Sequence, residues 1–349
     1  MPAAEPSSMP RPMIAISMGD PGGIGPEVIV KALAEPGVRR AARFRIYGCK
    51  EAMEEAADRA GLEPEWWAVP RDSDLVETTT SHGVVIADSP MPGGGSGAGK
   101  LSGELSFRFV EDAIRDAKRK PGDPLRADAI VTGPISKKAW SLAGRQYPGH
   151  TELLATRFGA RRVGMLFDSP RLRVILATVH LPLMEIRNAL TIGRIFDAID
   201  LGHEACVRLG VASPRIAVCG LNPHAGEEGL LGDEEMRLIE PAIAVAREHG
   251  MDARGPYPGD TVFNRAVAGE FDLVVAMYHD QGLIPVKLLD RDRAVNVTLG
   301  LPTVRTSPDH GTAFDIAGKN AADAGSMIRA IELAARLAVQ PGSGASVRR

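Results

Sequence analysis

Cysteine is scarce in this chain of 349 residues: Cys49, Cys206 and Cys219 are the only three, widely separated and without a CxxC pair. An odd, scattered set excludes a disulfide framework and a cysteine-rich zinc site, and it fits a reducing cytoplasm. An excess of one charge sign is also missing. Lys and Arg number 41 against 44 Asp and Glu, giving a formal net charge of −3. With the signs interspersed, a nucleic-acid or anionic-membrane surface is not the expected business of the protein. No apolar run approaches the roughly 18 residues a membrane span needs; the longest are of the size of 274–277 and 284–286. Residues 1–12 carry four prolines and no apolar core, so they read as a disordered tail and not as a signal peptide. A second tail is expected at 339–349.

What is present is a composition of 44% hydrophobic and 24% charged residues, enough for one large or two medium cores. Short Val- and Ile-rich runs alternate with longer stretches of helical period. The runs are 13–18, 44–47, 83–86, 129–132, 163–167, 172–178, 215–219, 273–277 and 295–298. The helical stretches are 26–34, 51–61, 105–119, 137–143, 151–158, 192–209, 234–249 and 327–339. Buried parallel strands joined by crossover helices have this alternation, so the fold class is α/β. The Gly-rich segment 91–99 is a flexible connector.

Chemistry-bearing residues gather where the runs end, the place where open α/β sheets bind ligands. After the first run comes GDPGGIGPE (19–27), a Gly-rich turn whose amides suit an anion, with Pro26 at a favourable helix start. It holds neither GxGxxG nor GK[ST], so the usual dinucleotide and P-loop signatures are not in it. TGPISK (132–137) and PGHTE (148–152) are further turns into helices. In the latter Thr151 is placed to cap and Glu152 to meet the dipole, and His150 with Thr151 suits a phosphate or carboxylate.

Three of the eight histidines share one setting, each beyond an apolar run and beside a Pro or Gly turn: His180 in HLPL, His224 in NPHAGE and His279 in YHDQG. Alone, each would be an ordinary partly buried imidazole. Together they suggest a divalent metal held by neutral imidazoles with coordination positions left for substrate oxygens. Lys287 and Arg305, with Asn296 between them, lie in apolar, strand-like surroundings, where a charge is expensive unless it meets an anion. Asp309 and His310 follow in a turn, placed either to contact a ligand or to cap.

The ordered set GDPGGIGPE, TGPISK, PGHTE, HLPL, NPHAGEEG, YHDQGLIPVK and NVTLGLPTVRTSPDHGTAFDIAG resembles the 4-hydroxythreonine-4-phosphate dehydrogenase (PdxA) family, from about Met13 to the last helix. The resemblance implies two α/β domains with mostly parallel sheets, like isocitrate and isopropylmalate dehydrogenases, with the active site in the interdomain cleft. The expected limits are 13–135 with 306–338 for the first domain and 136–305 for the second. The second is expected to carry the metal ligands and the dimer interface. It further implies a homodimer whose active site is shared, the YHDQG histidine coming from the partner subunit. By motif, the metal falls on His180, His224 and His279 and the substrate on His150, Thr151, Lys287, Asn296 and Arg305. For the general base, Asp280, Lys137 and Asp309 are the candidates.

The implied reaction is oxidation of 4-phosphooxy-L-threonine at C3 by NAD or NADP, with decarboxylation to 3-amino-2-oxopropyl phosphate, a step of pyridoxal phosphate biosynthesis. One divalent ion per subunit, zinc, magnesium or cobalt, is expected. Close relatives use the same motifs on 4-phospho-D-erythronate or 4-phospho-D-threonate, and the substrates differ mainly at C2, which the motifs do not read. An aromatic cis-dihydrodiol carboxylate dehydrogenase is disfavoured by the intact His150-Thr151 pair. A metal-binding protein without turnover is disfavoured by the complete motif set. The expected localisation is cytoplasmic, with no nucleic-acid or membrane partner.

Overall fold

The structure, a computed structural model, describes residues 11–91 and 97–339. Most of each expected tail and the central part of the Gly-rich connector lie outside the described residues. Twelve strands run in chain order: β1 Met13–Ser17, β2 Arg43–Gly48, β3 Trp67–Pro70, β4 Val84–Asp88, β5 Ala129–Thr132, β6 Gly164–Asp168, β7 Arg173–Leu176, β8 Arg215–Cys219, β9 Asp252–Tyr257, β10 Leu273–Ala276, β11 Val295–Leu299 and β12 Val304–Pro308. The described residues divide into two compact units, one within 11–153 together with 303–339, the other 154–302.

In the first unit the strands lie in the order β3-β4-β2-β1-β5-β12, every pair parallel. β1 (MIAIS) and β5 (AIVT) are buried at every residue, as expected of strands covered on both faces by helices. The helix Gly25–Ala34 that leaves β1 has Pro26 in its first turn, where proline's missing N–H costs nothing.

In the second unit the order is β11-β6-β7-β10-β8-β9. β7, β10, β8 and β9 are parallel, whereas β6 is antiparallel to both β7 and β11. The β6–β7 hairpin is closed by Ser169 N–H on the Leu172 carbonyl at 3.1 Å and by Arg173 on Asp168 at 2.7 Å.

Three strands escape the apolar-run reading. β3 and β9 end the strand order of their units and carry Trp, Pro, Asp, Arg and Gly in place of Val and Ile; β12 (VRTSP) is buried but polar. A helix, His279–Asp290, replaces the expected strand-like surroundings of Lys287. Its buried residues Gly282, Leu283 and Val286 recur at helical spacing. Gly282 is needed there, because a Cβ would come within 2.7 Å of Leu176 and 2.8 Å of Val174. Lys287 points from this helix and is exposed. The expected helix 234–249 begins as a π turn, Glu235–Ile239, before the α-helix Glu240–Glu248; Pro241 has no N–H to give the preceding turn.

Candidate active site

Three loops meet at the carboxyl ends of β1, β5 and β12 in the first unit. Gly19, at φ +83°, has room for no side chain: a Cβ would lie 2.3 Å from the Pro134 carbonyl oxygen. At Gly133 it would lie 2.2 Å from that of Met18. The GDPGG and TGP turns thus pack backbone against backbone, with Asp20 N–H donating to the Pro134 carbonyl at 2.9 Å. The loop after β12 joins them, since Ile24 N–H donates to the Thr312 carbonyl at 3.0 Å.

This packing corrects one expectation. The amides of the GDPGG turn do not wait for an anion: Gly22 N–H donates to Asp20 Oδ1, Gly23 N–H to the Asp20 carbonyl, and those of Asp20 and Ile24 are used as above. Asp20 itself is buried, accepts from the Ser102 hydroxyl at 3.1 Å, and burial pushes its carboxyl above the usual range. Beside the turn opens a cavity of about 510 Å³, lined among others by Gly22, Gly23, Cys49, Glu51, Phe314 and Gly318.

A buried arginine and a histidine with a buried ring nitrogen lie in the same unit. Arg305 rises from β12, is 3% exposed, and donates from Nη2 to the Thr132 hydroxyl at the end of β5, 2.6 Å away. Burial draws its guanidinium down to about 10, against the opposing pull of Glu152. His150 opens the helix His150–Phe158 with its ring set edge-on to Trp140 at 5.6 Å. Its Nε2 is buried and makes no hydrogen bond. Burial, followed by the charges of Arg305 and Lys137, holds His150 well below the ordinary histidine range. The imidazole is therefore neutral at pH 7, free to donate or accept one proton according to its tautomer.

Because the helix starts at His150, Thr151 sits in its first turn and not at the cap, the place that Gly149 takes. Lys137 begins the helix Lys137–Leu142, which Ser136 caps by accepting from Ala139 N–H at 3.1 Å. The unit thus brings together Lys137, His150, Thr151 and Arg305. Asp309 follows β12, its amide held by the Ser326 hydroxyl at 3.1 Å. Sequence reading placed His150, Thr151 and Arg305 beyond a limit at 135; here they share a unit with TGP and GDPGG.

In the second unit β7, β10 and β8 are neighbours, so their carboxyl-terminal loops emerge side by side. His180 stands beyond β7 and His279 beyond β10, their ring centres 5.6 Å apart. Thr178 ties these loops by donating from its hydroxyl to the Met277 carbonyl at 2.6 Å. Gln281 of YHDQG accepts from Met277 N–H at 2.7 Å and donates to the Gly220 carbonyl at 2.8 Å, linking the ends of β10 and β8. His279 Nδ1 is 2.8 Å from Asp280 Oδ1.

Two imidazoles on one tetrahedral ion, with metal–nitrogen bonds of about 2.1 Å, hold their ring centres about 5 Å apart. The 5.6 Å between the His180 and His279 ring centres is close to that spacing. His224, exposed on the loop after β8, is not brought to that pair. Among the described residues no group of three His, Cys, Asp or Glu stands close enough to hold a metal.

Asn296 lies on β11 with its Oδ1 buried and without a hydrogen-bond partner. Large apolar side chains crowd the histidine loops and stay exposed: Leu183 and Met184, Leu230 and Leu231, and Ile284 and Leu288 on the His279 helix.

The sequence comparison gives this geometry its context. Residues 41–334 match the family model described as "Pyridoxal phosphate biosynthetic protein PdxA". The chain belongs to the PdxA family. It is 46% identical over 341 residues to the 4-hydroxythreonine-4-phosphate dehydrogenase of Geobacter metallireducens, covering 96% of this chain and 98% of that protein. It is also 44% identical over 338 residues to the D-threonate 4-phosphate dehydrogenase of Cupriavidus necator, covering 94% and 98%. A crystal structure of 4-hydroxythreonine-4-phosphate dehydrogenase from Klebsiella pneumoniae superposes with a TM-score of 0.78 at 40% identity, covering 94% and 99%.

In this PdxA-family chain the site residues touch others that sequence reading gave no role. Trp140 walls His150, Thr132 receives Arg305, and Glu234 and Glu235 hold the His224 loop. Only Thr132 carried a signal, as the first residue of TGPISK at a strand end. No described helix is long and apolar enough to cross a membrane.

Proposed function

We propose that this PdxA-family enzyme oxidises 4-phosphooxy-L-threonine at C3 with NAD or NADP and releases CO2 to leave 3-amino-2-oxopropyl phosphate. The observation that carries the reading is the buried Arg305 guanidinium beside neutral His150, with Lys137 acting on the same imidazole. A cation kept out of water at such a cost suits the phosphate or carboxylate of a small acid. In this reading Arg305, His150 and Thr151 take an anionic end of the substrate. Lys287 and Asn296 of the second unit are assigned to substrate as well, the buried Asn296 oxygen awaiting a donor.

His180 and His279 are the proposed metal donors, with His224 as the third. The ion, zinc, magnesium or cobalt, supplies Lewis-acid polarisation at the reacting oxygen when bound. In this reading the His279 that completes the set comes from a second copy, and the exposed apolar side chains around the histidine loops support such a homodimer. The nicotinamide cofactor is assigned to the 510 Å³ cavity beside GDPGG, which lies at strand carboxyl ends and has ligand-pocket size.

The chain's own residues then divide the work. Positive charge at Arg305 and Lys287 fixes the substrate so that C3 faces the hydride acceptor. Loss of hydride from C3 with its hydroxyl proton gives a ketone β to the carboxylate. Cleavage of the C1–C2 bond releases CO2 and sends its electron pair toward that ketone, and the enolate so formed takes a proton at C2 to give 3-amino-2-oxopropyl phosphate. The proton acceptor is assigned among Lys137, Asp309 and Asp280; the bond of Asp280 to the His279 ring gives it an orienting role besides. Buried, unpaired thiols at Cys49, Cys206 and Cys219 support a reducing, cytoplasmic setting.

A second reading keeps every residue and changes the substrate to 4-phospho-D-threonate or 4-phospho-D-erythronate. It is favoured by relatives of 44% and 45% identity named D-threonate 4-phosphate dehydrogenase. NADH or NADPH production by metal-loaded protein supplied with NAD or NADP, compared across the three substrates, separates the readings. Preference for the amino acid phosphate supports the first and preference for either sugar acid the second, while no reduction of NAD or of NADP with any of them overturns both.

A further inference from the structure

His224 is carried unlike the other two histidines. It sits in the turn Pro223–Gly229, where five successive residues, His224 to Glu228, have φ between 45° and 82°. Four of the five are not glycine, and L residues adopt this left-handed region rarely and singly. Such a run persists only where the surroundings over-determine it.

Those surroundings are two buried carboxylates. Glu234 is 4% and Glu235 2% exposed. Glu235 Oε1 accepts from the backbone N–H of Leu221 at 2.7 Å and of Asn222 at 2.8 Å. Its Oε2 accepts from Asn222 Nδ2 at 2.9 Å, and the same amide nitrogen donates to Glu234 Oε2 at 2.8 Å. Arg187 closes the outer side, its Nε 2.7 Å from Glu234 Oε1.

The carboxylate fills the inside of the turn. A Cβ at Gly226 would lie 2.7 Å from Glu235 Oε2, and one at Gly220 would lie 2.8 Å from Ala225 Cα. Glu235 is presented by the π turn Glu235–Ile239, an irregularity that recurs at functional sites. A surface turn with no task would not need two desolvated charges to stand in a left-handed run.

We propose that Glu235 and Asn222 are positioning residues that lock the left-handed turn and so aim His224 at the divalent ion. The inference rests on the reading of His224 as a metal donor. Groups that orient a ligand from behind typically change metal affinity by about 10- to 100-fold.

The test titrates full-length, metal-stripped protein with Co2+, following its visible absorption, with circular dichroism and melting run in parallel. Glu235→Ala and Asn222→Ala are expected to bind Co2+ about 10- to 100-fold more weakly than the wild type. Asp168→Asn removes an equally buried carboxylate of the same unit, one that holds Arg173, and is expected to bind as the wild type does. Glu235→Gln, which keeps an acceptor for the backbone but sets a donor against Asn222, is expected to fall between and serves where the alanine variant fails to fold. Wild-type affinity in both Glu235 variants, or an equal loss in Asp168→Asn, overturns the inference. Retention of affinity in His224→Ala overturns the metal assignment itself, and the proposal with it. Loss there beside no loss at Glu235 refutes the positioning role alone.

Discussion

Replacing Arg305 by methionine should make the empty protein no less stable while crippling its hold on an anion. The guanidinium is 3% exposed, and burial draws it down from the ordinary arginine range to about 10. At about 1.4 kcal/mol per pH unit, carrying that charge costs the fold about 3 kcal/mol at pH 7. The sign follows from proton binding. A folded-state value below the unfolded one means the folded chain binds the proton less well, so the cost is complete below pH 10 and fades only as pH rises toward the ordinary arginine range. Against it stands the charged hydrogen bond to Thr132, about 1.5–3 kcal/mol. Methionine keeps much of the volume and removes both, so the expected net change is between zero and about 1.5 kcal/mol in favour of the variant. Phosphate binding should instead lose about 2–5 kcal/mol, or roughly 30- to 4,000-fold. Urea denaturation with and without inorganic phosphate measures both effects, since a ligand stabilises only the form that binds it. A variant destabilised by several kcal/mol whose midpoint still rises with phosphate as the wild type's does would refute the assignment of Arg305 to an anion.

Three further outcomes are expected. His150 titrates well below the ordinary histidine value in the folded chain, so wild-type stability should fall as pH drops below about 6.5, where only the unfolded imidazole takes a proton; His150→Phe should flatten that slope in urea midpoints between pH 7 and 5, and an unchanged slope would count against the burial described. Gly133→Ala, which forces a Cβ to within 2.2 Å of the Met18 carbonyl oxygen, should cost more than about 3 kcal/mol, whereas Gly37→Ala, in a helix with nothing within 4 Å, should be neutral or gain up to about 1 kcal/mol; equal melting temperatures would disprove the close approach. Aspartate at Met184 and Leu288, 84% and 81% exposed, should shift sedimentation from dimer to monomer, and a wild type that sediments as a monomer would remove the proposed second copy.

Where a strand is apolar and central, its boundaries are written in its residues. The runs 129–132 and 215–219 coincide with β5 and β8, because a strand covered on both faces needs Val, Ile and Ala at nearly every position. β3, β9 and β12 carry no such mark. Their place is decided by the neighbour they pair with, not by their own side chains. Lys287 shows the same limit from the other side. LIPV is apolar enough to suggest a strand, but the spacing of Gly282, Leu283 and Val286, and the room that Gly282 leaves under Val174 and Leu176, make it a helix.

The candidate site divides in the same way. By itself the sequence determined the fold class, the order of the motifs, the family they resemble and the histidine, lysine and arginine side chains available to hold a metal and an anion, because these follow from residue type and local period. Only the tertiary structure decided that GDPGG and TGP close on each other through glycines that admit no side chain, and that Arg305 meets Thr132 while His150 meets Trp140. It also set the His180 and His279 rings 5.6 Å apart with His224 elsewhere on its own left-handed turn. The reason is physical: contacts between residues far apart in the chain depend on strand order and on the space between backbones, and neither is written in any one segment.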